Sequence, residues 1–489
     1  MTIIDKAIGY FNPRYAYKAA QYRTALSFLG GNLYDGARQS PHYNINVFGS
    51  SESDDLYDLD ILRNTSRSKY KNNGFYSGVI ECATDHTIGS GLKAKASINR
   101  RLINGLSEQR AKEIEDAFDD YFNSWAESTI CDITAKDNFY QLQRLAYQIY
   151  KKDGDSFASL PLTNLGSSKT IQISLIAAEN IQSNQKEYEN GILLSKDGMP
   201  LQYSILQSDN KCKEFSAFSK GKRNILHVFS RKRAKIARGI PFLTPVMRDI
   251  DAIDQYMKYE MTAAKLSAIF FGSITTQSKT STFGDGEVDL TSGIQTQKAQ
   301  NTVSENSITQ LLPGDELKIH HQGRDNPNYD KFIMTSLQKV STQTRIPLEI
   351  ILAQFVSSYS ASRAAMLQMT KFTNPERALF VNSFCKPIRD QVITWGILQG
   401  DLIVPDFFEN RSAYLKAIWI GDPMGSVDPQ KDVKAKKMAK DENWLTNEQA
   451  TIELGYGDFE SNVNILAKEN ELLISKGLKL KEEDSSDAV

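Results

Sequence analysis

GIPFLTPVMRDIDAIDQYMKYEMTAAKLSA, residues 239–268, is the stretch on which the reading of this chain turns. Gly239, Pro241 and Pro245 break the preceding run. After them Val246, Ile250, Ile253, Met257, Met261, Ala264 and Ala268 recur every three or four positions. Proline suits a helix start, because the first turn has no use for the N–H it lacks, and this spacing puts the apolar side chains on one stripe. The stretch predicts one long helix. Lys258, Thr262 and Lys265 share another of its faces, and Arg248, Asp249, Asp251, Asp254 and Glu260 make the remainder polar.

Upstream, residues 107–150 read as amphipathic helices, followed by FASLPL, TIQISLI, GILLS and LQYSIL, which alternate or run apolar over strand lengths. An α+β unit is expected there, with Asp197-Gly198 as a hairpin turn, since Gly tolerates the positive φ such turns require. Before it, LDILRNTSRSKYKNNGFYSGVIECATDHTIGSG has helical spacing with a break near Asn72-Asn73-Gly74. The Tyr-, Asn-, Gly- and Ser-rich N-terminal region has the composition of an extended arm that packs on a neighbour.

Downstream, residues 274–327 turn polar and rich in Gly, Ser, Thr and Gln, with one strand-like return at ITQLLPGDELKIHH. A second helix is expected over NYDKFIMTSLQKVSTQTRI, ending at Ile346-Pro347, and a long one from Ser360 to about Leu398, kinked or interrupted by Pro375 and Pro387. Two further helical segments precede a charged end, KLKEEDSSDAV, expected to fray.

With 489 residues the chain exceeds a single core, which stops growing at about 250–300 residues, so several domains are expected. Lys and Arg (58) balance Asp and Glu (59) for a net charge of −1, which argues against broad neutralisation of DNA phosphates. Cys82, Cys131, Cys212 and Cys385 lie far apart without metal-ligand spacing and read as reduced thiols of a cytoplasmic setting. The N-terminus carries charge and proline where a signal peptide needs an apolar run, and no later stretch reaches the roughly 18 apolar residues of a membrane span.

Motifs for nucleotide, metal or nucleophile chemistry are missing. Leu165 to Thr170 lacks the spacing of a phosphate-binding GxxxxGK[ST] loop and reads as a turn, and neither HExxH nor GxSxG occurs. His320-His321 reads as a solvated strand end, and Asp285-Gly286-Glu287-Val288-Asp289 as a surface turn. Asp153-Gly154-Asp155 reads as a pair of turn formers at an element boundary. Arg231-Lys232-Arg233-Ala234-Lys235 with Arg238 is the densest positive patch, suited to phosphate, to a subunit contact or to plain solvation. Lys431, Lys434, Lys436, Lys437 and Lys440 spread around a solvated helix. The chain is accordingly read as no enzyme, with no cofactor or metal.

Four blocks in order, RNTSRSKYKNNGFYSGVIECATDHTIGSGLK (63–93), GILLSKDGMPLQYSI (191–205), residues 227–268, and SSYSASRAAMLQ (357–368), resemble the lambda-type portal proteins of tailed bacteriophages. The resemblance implies a mixed α+β, helix-rich portal fold. Residues 1–59 would be an extended arm, 60–245 an α+β wing, 246–273 a first stem helix, 274–327 a loop-rich clip, 328–346 a second stem helix and 347–362 a tunnel loop. Residues 363–400 would form a wing helix, and 401–489 a C-terminal return to the wing and a helical crown. It further implies a ring, probably of twelve copies, at the capsid portal vertex of the virion, assembled in the bacterial host cytoplasm. Double-stranded DNA would pass through its channel. Terminase large subunit, major capsid or scaffold protein and a head-tail connector would dock on it, and no membrane would be involved. DNA-channel candidates are then Lys258, Thr262, Lys265, Ser357, Ser358, Tyr359, Ser360 and Arg363, with helix N-capping as the alternative role of Ser358 or Ser360. Docking candidates in the clip are Phe283, Asp285, Glu287 and Asp289. A non-channel adaptor of the virion, or a DNA-processing enzyme, are the competing readings.

Overall fold

The structure, a computed structural model, describes residues 59–476 and 478, apart from 277–314, 320–325 and short gaps at 166–167, 184, 186, 208, 220, 270–271, 327, 356–357 and 426–427. The 1–59 arm lies almost wholly outside the described residues, as does most of the 274–327 excursion.

Two helices open the fold, α1 (Leu59–Asn72) and α2 (Gly74–Thr87), separated where the Asn-Asn-Gly run implies. Asn73 caps α2, its side chain accepting from the Tyr76 N–H, which satisfies one of the free amides of the first turn. Next come β1 (Lys93–Ala96), α3 (Glu108–Glu127) and α4 (Phe139–Asp153). Asn138 and Gln141 form a reciprocal capping box at the start of α4, and Gly154, with φ 91°, ends it.

A run of short strands follows: β2 (Asp155–Ser159), β3 (Leu162–Leu165), β4 (Ser168–Ile171), β5 (Ser174–Ile176), β6 (Ile192–Leu194), β7 (Pro200–Leu206), β8 (Cys212–Ser216), β9 (Phe218–Ser219), β10 (Lys222–Arg223) and β11 (Ile225–Phe229). They pair into sheets of order β11-β2-β5 and β6-β7-β8 and hairpins β3-β4 and β9-β10, all antiparallel. Gly198, with φ 84°, makes the turn expected between β6 and β7. The run TIQISLI does not form one strand. At its middle Gln172 donates to the carbonyl of Ile130, and Ile173 is buried beside Asp132, so the two halves serve different sheets.

The helix expected after Pro245 is α5 (Met247–Ile269), and β12 (Gly272–Thr276) and β13 (Asp315–Ile319) pair across the excursion that follows it. Beyond it stand α6 (Tyr329–Thr344), the single turn α7 (Leu348–Ile351) and α8 (Tyr359–Phe380). Pro375 sits inside α8, and a π-helical stretch, Val381–Cys385, joins it to α9 (Lys386–Gln399). The Lys386 N–H reaches the Val381 carbonyl five residues back, which absorbs the bond that Pro387 cannot donate. The helix expected over Ser360–Leu398 is thus one continuous helical run in which Pro375 is accommodated and a π-helical stretch precedes Pro387.

The tail departs from the expectation of two helical segments. A short helix, α10 (Arg411–Tyr414), is followed by β14 (Ala417–Ile420), which pairs antiparallel with β1 more than 300 residues earlier, and then by α11 (Pro429–Asp441), α12 (Asn447–Leu454) and α13 (Phe459–Ser475). The stretch read as one helix is two because Asn443 takes φ 60° and Thr446 starts α12 with its own capping box.

One core gathers α3, α4 and α9 over β1-β14 and β11-β2-β5, around Phe118, Phe122, Phe139 and Phe384. Phe139 and Phe384 stack at 6.4 Å between centroids. A second core holds Val79, Ile80, Val246, Ile250, Val340 and Met369, so α2 and α8 grip the adjoining ends of α5 and α6.

Between the two cores Gly239 and Gly154 lie back to back. A Cβ on Gly239 would fall 2.0 Å from the Gly154 carbonyl oxygen. Gly239→Ala is therefore expected to lower stability by about 3 kcal/mol or more in urea titration. Gly74→Ala meets nothing within 4 Å and is expected to be neutral or to gain up to about 1 kcal/mol.

Candidate functional site

The loop that delivers α5 is anchored by a buried charge cluster. Asp155, the first residue of β2, is fully buried, as are Arg63 of α1 and Arg238 of the loop. Arg63 Nη2 donates to both carboxylate oxygens at 3.0 Å, and Arg238 Nε donates to Oδ2 at 2.6 Å. The Gly239 amide adds a bond to Oδ2 at 3.3 Å. The rest of the Arg238 guanidinium is taken up by the carbonyls of Ala178, Ile181 and Asn190 at 2.6–3.0 Å. Burial pushes the Asp155 carboxyl up, but Arg238 and Arg63 outweigh it and hold it well below the usual carboxylate range. Burial in turn pulls Arg63 down to about 10 against the attraction of Asp155.

The neighbouring carboxylate, Asp153, receives both Nε and Nη2 of Arg67 at 2.8 Å. His227 lies 3.6 Å from Asp155 Oδ2, its ring sandwiched between Phe157 and Phe229 at 4.2 and 4.1 Å. Burial holds its imidazole below the usual value, against the pull of Asp155. A second buried cation, Lys151, pairs with Glu376 at 2.9 Å and sits 4.3 Å from the Phe242 ring centroid, tying α4 and α8 to the same loop.

Two sequence readings are corrected here. Asp153 and Asp155 are not mere turn formers but the anionic hub between α1, α4, β2 and the loop before α5. Arg238 does not belong to the positive patch. It is wholly buried on Asp155, while Arg231, Lys232, Arg233 and Lys235 lie exposed. With every Asp155 oxygen occupied, the cluster is built to lock and has no open position for a substrate. Among the described residues no three His, Cys, Asp or Glu side chains gather as a metal site.

From this lock α5 runs antiparallel to α6. Lys339 pairs with Asp249 at 3.2 Å near the root, Tyr256 packs on Tyr329 and Phe332, and Asn326 donates to Tyr256 Oη and Glu260 Oε2. Lys69 of α1 pairs with Asp251. The apolar stripe is buried only at its first half. Val246, Ile250 and Ile253 are covered, whereas Met261 is 56% exposed, and Tyr259, Phe332 and Met334 are also open. Lys258, Thr262 and Lys265 are all exposed on α5. Lys258 Nζ lies 2.9 Å from Asp254, and the Thr262 hydroxyl donates back to the Lys258 carbonyl.

The other candidate group opens α8. Ser357 lies outside the described residues, as do Phe283, Asp285, Glu287, Asp289 and the His320-His321 pair. The stretch expected as a loop over 347–362 is shorter, because α7 occupies Leu348–Ile351 and α8 already starts at Tyr359. Ser358 holds the N-cap position, yet its hydroxyl makes no capping bond and meets Ser360 Oγ at 3.1 Å. Arg363 pairs with Asp432 at 3.3 Å, and Lys431 lies 4.9 Å from the Tyr359 ring centroid, so α11 covers this end of α8.

The family model described as phage portal protein, lambda family, matches residues 43–377. The chain belongs to that family. It is a phage portal protein, and the matched region takes in the Asp155 cluster, the α5–α6 pair and the Ser/Tyr segment of α8. Solved structures to which the portal chain is similar include the virion of a native gene transfer agent particle, with a TM-score of 0.44 and 12% identity over 81% of this chain and 93% of that one. The neck of the native particle computed with C12 symmetry has a TM-score of 0.42, with the same identity and coverage.

Asp155→Asn would leave two buried guanidinium groups facing a neutral amide. A loss of about 3–5 kcal/mol is expected in urea unfolding. Because the folded carboxyl is depressed, its contribution is complete above the ordinary aspartate value of about 3.9 and fades as pH falls through the lower folded value. The stability gap between parent and variant should stay constant at neutral and mildly acidic pH and narrow only below about pH 4.

Proposed function

We propose that copies of this portal chain close into a homo-oligomeric ring at one capsid vertex of the virion, and that duplex DNA passes through its bore during packaging and ejection. Twelve copies is the number the family resemblance implies. In this reading α5 and α6 are the stem, residues 274–327 the clip, the loop between α7 and α8 the tunnel constriction, residues 60–245 with α8 and α9 the wing, and α11–α13 the crown.

The observation that carries it is the half-buried stripe on α5. The root is sunk in the second core, while further out Met261 on the stripe is 56% exposed and Tyr259 on a different face 71%, large apolar side chains that one chain alone leaves in water. Repetition of the subunit around an axis covers such a surface without a second protein, because a head-to-tail contact sets this patch of each copy against a different patch of the next.

The charge of the bore surface follows from its task. A channel through which DNA slides must not hold phosphates tightly, so a net charge of −1 per chain serves better than a basic one. Lys258 is matched by Asp254 one turn away and offers a shallow contact, with Lys265 one step further along the same face. Ser358, Tyr359 and Ser360 would bring uncharged groups to the constriction. Arg363, held by Asp432, would be restrained from it. The subunit is a passive conduit, with the energy for translocation supplied by a docked terminase. Terminase and the head-tail connector would meet the clip near Phe283, Asp285, Glu287 and Asp289, and scaffold or capsid protein the outer wing.

Lys258→Glu with Lys265→Glu is expected to leave rings intact in electron micrographs while lowering the DNA content of assembled particles. Unchanged DNA content would remove this face from the bore. Deleting residues 279–300 is expected to weaken terminase or connector binding in pull-down without changing the melting temperature. Full retention of both partners would move the docking surface elsewhere.

A further inference from the structure

On the side of the molecule where β14 returns, a cavity of about 730 Å3 opens between the first turn of α9, the β9-β10 turn and the α10–β14 segment. That volume is in the range of ligand pockets. Its charge is one-sided. Lys222, Arg223, Lys386, Arg411 and Lys416 line it against a single carboxylate, Asp390.

Elsewhere the buried Arg63, Lys151 and Arg238 and the half-buried Arg67 each meet a carboxylate at 3.0 Å or less, and the buried Arg389 stands 3.7 Å from Asp119. Among the described residues none of the five cations of this cavity has a carboxylate oxygen within 4.0 Å. Arg411 donates from Nη2 to the Thr394 hydroxyl at 3.3 Å, while its buried Nε has no partner among the described residues. The buried Oδ1 of Asp390 has none either. Burial, followed by the facing Arg411, holds the Lys222 ammonium below its usual value. Burial raises Asp390 to about 6 despite Lys386, Arg389 and Arg411. Gathering like charges in one recess costs free energy unless an anion neutralises them.

We propose that this cavity is a docking pocket for an acidic peptide segment of a partner protein, whose Asp or Glu carboxylates are gripped between Arg411 and Lys222. Guanidinium groups suit carboxylates because their donors form a planar fork. A peptide is favoured over DNA by shape. Duplex phosphates lie on the outside of a stiff rod and meet a concave recess poorly, whereas a flexible acidic side chain enters it. The pocket uses none of the residues assigned to the channel and does not depend on the ring reading.

The test is fluorescence anisotropy of a labelled oligoglutamate peptide titrated with the full-length protein at low salt. Saturable binding is expected, weakened about tenfold or more by Lys222→Gln with Arg411→Gln. The charge-matched control, Lys434→Gln with Lys437→Gln on exposed α11, should bind as the parent does. If the Arg411 variant melts early, Lys386→Gln with Lys416→Gln, both at exposed positions, is expected to weaken binding in the same sense. Lack of saturable binding, or an equal loss in the control, overturns the proposal. So does a duplex oligonucleotide that binds with the same dependence on Lys222 and Arg411 and displaces the peptide.

Discussion

The carboxylate of Asp155, held in the interior by Arg63 and Arg238, is the constraint on which the architecture depends. Four segments far apart in sequence meet on it: α1, the α4–β2 junction, the carbonyls around Ala178–Asn190, and the loop that launches α5. A buried ion pair is weak evidence of net stability, since desolvation of each charge offsets much of the attraction. Its geometry is nonetheless demanding. A guanidinium that must meet one carboxylate and three carbonyls at once admits a single path for the loop carrying it. The Gly154–Gly239 contact, too close for any side chain, closes that path from the other side. The direction in which α5 leaves the α+β unit is thus set by charge and sterics together.

From that launch point the α5–α6 pair changes character along its length. Near the root it is an ordinary core element, with Val246, Ile250 and Val340 sunk among α2 and α8. Further out the intrachain bonds shift to polar and aromatic ones, Asn326 with Glu260 and Tyr256 with Phe332, and large apolar groups stay open. A long α13 repeats the theme, with Ile465, Leu466, Leu472 and Ile474 more than half exposed. A monomer would keep all this apolar surface in water, and the proposed association of subunits would remove the cost.

The helices were legible in the sequence because their signals are local. The three-and-four spacing after Pro245, the Asn-Asn-Gly break before α2 and the Asp-Gly turn between β6 and β7 each lie within a few residues of the element they specify. What escaped was set by partners distant in the chain. Asp155 beside Gly154 looks like a turn former until Arg63 and Arg238, more than 80 residues away on either side, are brought to it. Arg238 looks like one more charge of a basic run for the same reason. β1 and β14 are four-residue strands whose alternation is too short to register alone, and they exist because they pair with each other. The candidate channel residues of α5 were legible as an exposed face, whereas the pairing of Arg363 with Asp432 was not, because the fold of the tail decides it.

The most direct measure of this account is a cryo-electron microscopy reconstruction of the purified oligomer. It should show a closed ring with a central hole, with Tyr259, Met261, Phe332 and Met334 buried between neighbouring copies and Lys258, Thr262 and Lys265 turned toward the hole. A chain that stays monomeric, or a ring that leaves those apolar side chains in solvent and points the lysine face outward, would contradict it.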